Sequence, residues 1–88
     1  MRVSLEPEEL INFANYLNSF SNSLKDDTGN LLGRLRDLGN TWNDPKYGEF
    51  ANELEHHARA YLQKFDQIAD VLIAELKGKA QRAKEVHR

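Results

Sequence analysis

Leucine recurs every seven residues at Leu10, Leu17, Leu24, Leu31 and Leu38, and the row then stops at Gly39-Asn-Thr-Trp-Asn-Asp-Pro45. Ala14, Ser21, Thr28, Leu35 and Trp42 fill the alternating position between the leucines. Together they form the two seam positions of a heptad, which only a long helix can present along one face. The interruption is chemical. Gly39 and Asn40 tolerate the left-handed conformation that ends many helices. Pro45 disfavours helical geometry at Asp44, and the pair reads as a helix start with Asp44 as N-cap and Pro45 in the first turn. Trp42, the single tryptophan, lies between stop and start, where a large aromatic can plug the end of a bundle with its indole N–H near water.

A second apolar row begins after the corner. Ala51, Leu54, Ala58, Tyr61, Phe65, Ile68 and Leu72 alternate steps of three and four. The pattern runs to about Ala83, so this helix approaches forty residues and on the order of 55 Å. That length argues against a compact three-helix globule. The expected fold is all-α: an antiparallel two-helix hairpin, helices about 5–40 and 45–85, one domain over residues 1–88. Pairing about the corner sets residue i of the first helix near residue 87 − i of the second.

The first helix opens at Ser4-Leu-Glu-Pro-Glu-Glu9. Ser4 or Glu6 can cap it, Pro7 fits the first turn, and the glutamates favour the positive end of the helix dipole. Asp26-Asp-Thr-Gly-Asn30 is poor helix sequence, and Gly29 and Gly33 each cost ~1 kcal/mol relative to alanine. The leucine register passes from Leu24 to Leu31 without slipping, which favours an unbroken helix. Gly29 and Gly33, four apart, either admit a close neighbour or are a tolerated weakness.

With 40% hydrophobic and 30% charged residues among 88, the chain reads as folded rather than disordered. No apolar run approaches the ~20 residues a membrane span needs. The first twenty residues carry one Arg and three Glu and do not read as a cleavable secretion signal. There is no cysteine, hence no disulfide framework or thiolate metal site. The net charge of −2 gives no general attraction to nucleic acid or anionic lipid. Residues 74–88 are locally basic through Lys77, Lys79, Arg82, Lys84 and Arg88. Antiparallel pairing brings these cations toward Glu6, Glu8 and Glu9. No aromatics interleave with them as single-strand binding would require.

No catalytic constellation is ordered by spacing, and no cofactor is implied. His56 and His57 point about 100° apart on a helix. Glu53 and His57 form at most a weak two-ligand site with no third ligand to complete a tetrahedral set. Asp26-Asp27 before Gly29 lacks the alternating acidic ligands of a calcium loop. The expectation is a non-catalytic protein with no metal.

A hairpin gives each helix only one neighbour, which covers one seam. More apolar surface remains: Ile11, Phe13, Phe20 and Leu32 flank the leucine row, and Leu62, Ala69, Ile73, Leu76 and Ala80 form a shoulder on the second helix. Burying a Phe or Leu is favourable by roughly 2–3 kcal/mol, and a continuous apolar flank usually marks an interface. The expected outcome is a dimer, two hairpins in a four-helix bundle.

A chain of this length, with two helices and Trp at the corner, resembles the WXG-motif (ESAT-like) family of type VII secretion substrates. Trp42 and Phe50, eight apart, fit the family's Trp and following large apolar position, and Leu5-Glu-Pro-Glu-Glu-Leu10 resembles the way members open their first helix. Asp44, followed by Pro45, stands where the family has Gly. The family's Tyr-x-x-x-Asp/Glu export signal is absent: Tyr61 is followed at that distance by Phe65, with Asp66 one place late. The resemblance implies a small secreted or secretion-associated protein. It would pair with itself or with a second helical hairpin, such as the N-terminal domain of a toxin or effector. It would be cytoplasmic before export without a cleavable signal peptide, its signal supplied by a partner chain or a different route. Trp42, Asp44, Pro45 and Phe50 would shape the bundle end, and the seam and shoulder residues would hold the partner. The rival expectation is an intracellular hairpin adaptor or scaffold.

Overall fold

The computed structural model describes residues 6–86. Among them there are two helices, α1 (Pro7–Leu38) and α2 (Pro45–Val86). They fold back on each other as the heptad rows and the corner require. Ser4 and Leu5 lie outside the described residues. Glu6 precedes α1 with an extended backbone and makes no side-chain cap; its carbonyl instead accepts from the Leu10 N–H at 3.2 Å. α1 runs unbroken through Asp26–Asn30, where the Thr28 hydroxyl donates to the Leu24 carbonyl at 2.7 Å.

The register is 87 − i. Ser21 of α1 and Asp66 of α2, which sum to 87, are joined by a hydrogen bond of 3.0 Å from the serine hydroxyl to Oδ1. Lys25 Nζ reaches the same carboxylate oxygen at 3.2 Å. The line of closest approach is built mostly from small side chains. Ala14, Ser21, Ala69 and Ala80 are buried along it, joined by Leu32 and Leu35 toward the corner. The molecule is a rod of 66 × 22 × 15 Å with a radius of gyration of 19.8 Å, whereas a compact domain of this length has about 12 Å.

The corner departs from the expected chemistry in one respect. Gly39 is not left-handed: φ is −62° and ψ −20°, and no described residue has a positive φ. α1 ends instead in tightened turns, with Gly39, Asn40 and Thr41 N–H groups donating to the carbonyls three residues back. The glycine answers a different need. A Cβ at Gly39 would lie 2.8 Å from the Tyr47 ring. That ring crosses the corner so that its hydroxyl donates to the Leu35 carbonyl at 2.6 Å, an acceptor left over at the helix end. Asp44 does cap α2, its Oδ1 accepting from Lys46 N–H at 2.9 Å, with Pro45 as first helical residue.

Candidate interaction face

A hairpin has two broad faces, and here they differ. Measured at about 100° per residue from Ala14, which faces α2, the side chains of Phe13, Leu17, Phe20, Leu24 and Leu31 lie roughly 60–120° to one side. Leu38 lies on that side too, and Tyr16 at its outer edge. On α2, measured from Ala69, the same side carries Phe50, Tyr61, Ile68, Leu72 and, at its edge, Val71. Because the helices are antiparallel, the two sides turn onto one common face. Contacts across the groove agree: the Phe20 and Phe65 rings lie 5.6 Å apart. Phe13 and Leu17 line one depression with Leu72 and Leu76, and Leu24 lines another with Tyr61, Leu62 and Phe65. Phe13, Tyr16, Phe20, Leu31 and Leu38 of α1, and Phe50, Tyr61, Ile68, Val71 and Leu72 of α2, are between 42 and 75% exposed.

The opposite broad face is polar. It carries Asn15, Asn18, Asn22, Lys25 and Arg36 of α1 against Arg59, Gln63, Asp66, Asp70 and Lys77 of α2. Gly29 and Gly33 also lie there, with nothing within 4 Å of where a Cβ would sit. The Ser21–Asp66–Lys25 cluster lies at the edge of this face. The Ser21 hydroxyl, first, and Lys25, second, hold the Asp66 carboxyl below its ordinary value of 3.8, against a smaller opposing effect of desolvation.

The expected flank residues divide accordingly. Phe13 and Phe20 lie on the apolar face and are exposed. Ile11 is half-buried on the side toward the polar face. Leu32 and Ala69 are 7% and 2% exposed, so they lie inside the hairpin and not on its flank. Leu62, Ile73 and Leu76 are half-buried against α1, with Leu62 and Leu76 reaching the groove. Conversely, Leu31, Leu38, Tyr61, Ile68 and Leu72, read as seam, are exposed. The cause is helical drift. A straight α-helix turns about 20° per heptad relative to a strict seven-residue row. Over four heptads from Leu10 to Leu38 this amounts to roughly 80°. Leu10, Leu17 and Leu24 are half-buried, Leu31 and Leu38 have rotated outward, and Leu32 has taken the inner position. Drift was the available signal for these residues.

At the corner Trp42 packs against Tyr47 and Phe50 with ring centroids 5.6 and 5.5 Å away. Phe50 remains exposed and continues the apolar face to the rod's end. Trp42 and Phe50 are thus in contact, with Asp44 and Pro45 between them in the chain at the start of α2.

His57 Nε2 lies 4.0 Å from Glu53 Oε1, and among the described residues no three His, Cys, Asp or Glu side chains converge as metal ligands would. Lys79 pairs with Glu75 of its own helix at 3.7 Å. No described helix is long and apolar enough to cross a membrane. Comparison with known proteins returns nothing: no family model, no curated protein and no solved structure matches this chain.

Proposed function

We propose that this chain is a non-catalytic binding protein that pairs, through its apolar broad face, with a second helical hairpin. The observation that carries this reading is the concentration of exposed Phe, Tyr, Leu, Ile and Val side chains on one face of a rod whose other face is polar. The area is large enough to matter. A compact protein of 10.1 kDa exposes about 5,300 Å². This chain exposes 7287 Å², an excess of roughly 2,000 Å² over that figure. A standard interface removes about 800 Å² per partner. Covering the apolar face with another two-helix layer produces a four-helix bundle, the arrangement in which both helices of each hairpin gain a second neighbour.

The biological setting rests on the resemblance to the WXG-motif family. In that setting the hairpin is a secreted or secretion-associated protein, or a carrier that accompanies an effector through type VII-like export. Its Trp42–Tyr47–Phe50 corner would be the bundle end read by the export machinery. Asp44 at the family's Gly position favours a second reading, an intracellular hairpin scaffold. The pairing is tested first, and the setting after it. Intact-mass analysis of the natively purified complex is expected to show a dimer or a pair with one other helical protein. The double substitution Phe20→Glu with Ile68→Glu should abolish that complex while circular dichroism still reports a helical chain. An unchanged complex would remove the apolar face from the account. Quantifying the protein in culture medium against lysate then decides export: confinement to the lysate leaves the scaffold.

A further inference from the structure

We infer that residues 10–24 are a latent cross-β segment: when α1 leaves the hairpin, this stretch stacks with the same stretch of other copies of the chain. Such stacking is distinct from pairing through the folded apolar face, because it needs the helix undone. Between Glu9 and Lys25 there is no charged side chain, no glycine and no proline. The chain as a whole is 30% charged, and its next-longest uncharged runs, 28–33 and 38–43, both contain glycine. The most apolar part of α2, residues 71–74, is closed off by Asp70 and Glu75.

Ile11-Asn-Phe-Ala-Asn-Tyr-Leu17 has by itself the composition of a steric zipper: aromatic and branched side chains, amides and no charge. Stacked in register at about 4.7 Å, Asn12, Asn15, Asn18 and Asn22 form amide ladders, and Phe13, Tyr16 and Phe20 form aromatic columns. No like charges are brought together. Glu8 and Glu9 at one end, and Lys25, Asp26 and Asp27 at the other, bracket the run, as charged gatekeepers flank hydrophobic strands.

The helix here is held by its surroundings. Asn, Ser, Phe, Tyr and Ile are weaker helix formers than Ala or Leu, and they make up most of residues 11–23. Among the described residues the ion pairs within one helix, Glu55–Arg59 and Glu75–Lys79, and the Glu53–His57 contact all lie on α2. This part of α1 is fixed instead by Ala14 and Ser21, buried on the contact line, and by the bond from Ser21 to Asp66. Phe13, Tyr16 and Phe20 remain exposed, so the largest side chains of the run gain little from the helical arrangement of the single chain. Local preference and folded state thus disagree, which marks a segment with a competing structure.

The test uses the full chain, agitated at micromolar concentration at its urea midpoint. Fibres are expected that raise thioflavin T fluorescence and diffract at about 4.7 and 10 Å, with a protease-resistant core containing residues 10–24. Asn15→Lys puts a charge inside the run at a position that is exposed on the polar face of the hairpin. It should lengthen the lag about ten-fold or more. Asn52→Lys makes the same change at a similarly exposed position on the polar side of α2. It should leave the lag within about two-fold of wild type, each variant being followed at its own midpoint. Absence of fibres, a core elsewhere in the chain, or equal slowing by both substitutions overturns the cross-β assignment.

Discussion

At the scale of single residues, the corner shows how a glycine can be required for space and not for backbone freedom. Gly39 has an ordinary helical φ of −62°, so alanine fits its backbone. Gly→Ala at a compatible position normally stabilises by about 0.4–1 kcal/mol, through the unfolded chain. Here the added methyl would meet the Tyr47 ring at 2.8 Å. The ring cannot swing away freely: its hydroxyl is bonded to the Leu35 carbonyl and its edge packs on Trp42. Displacing it forfeits a hydrogen bond worth roughly 1 kcal/mol along with packing. Gly39→Ala should therefore lower stability by about 1 kcal/mol in chemical denaturation. In a Tyr47→Ala background the same change should become neutral or stabilising. A loss of equal size in both backgrounds would show that Tyr47 is not the cause.

At the scale of the helix, neighbouring leucines have opposite roles. Leu32 is 7% exposed and Leu31 44%, although the heptad row passes through Leu31. Leu32→Ala should cost about 2–3 kcal/mol at any protein concentration, because it leaves a void in the hairpin's own contact line. Leu31→Ala should act only through assembly, so urea transitions at nanomolar protein should match wild type and diverge at micromolar. A large concentration-independent loss at Leu31 would contradict the drift account. The helices, their antiparallel pairing, the capped start at Asp44-Pro45 and the 87 − i register were all legible in the sequence, since turn chemistry and spacing are local signals. Which half of each apolar row faces inward was not. The inner line is marked by small residues such as Ala14, Ser21, Ala69 and Ala80 that let the helices approach. The large residues that dominate the pattern were displaced outward by a mismatch too small to notice over one heptad. The heptad rows put Phe13 and Phe20 on the open face, Tyr61, Ile68 and Leu72 in the seam, and Leu32 and Ala69 on the flank; the structure agrees for the two phenylalanines and reverses the other five.

At the scale of the whole molecule, two long rods with a thin contact line need something to fix their relative position, since sliding α1 by two turns exchanges one small residue, Ala14, for another, Ser21. The Ser21–Asp66–Lys25 cluster supplies a polar constraint across 45 residues of sequence. Its pH dependence follows from the lowered pKa of Asp66, caused chiefly by the Ser21 hydroxyl and then by Lys25. A carboxyl whose pKa is lower in the folded than in the unfolded chain binds more protons when unfolded, so stability rises with pH across that window. The contribution is complete above the ordinary value of 3.8. It declines as pH falls through the folded value, and is absent below it. The cluster is partly exposed, so the effect is modest and weakens with salt. Asp66→Asn keeps an acceptor for Ser21 but cannot pair with Lys25. At neutral pH it should melt below wild type. As both proteins are acidified past the aspartate range the two melting curves should converge, and added salt should narrow the neutral-pH gap. A gap that persists unchanged in acid would mean that the shape of the side chain, not its charge, holds the register.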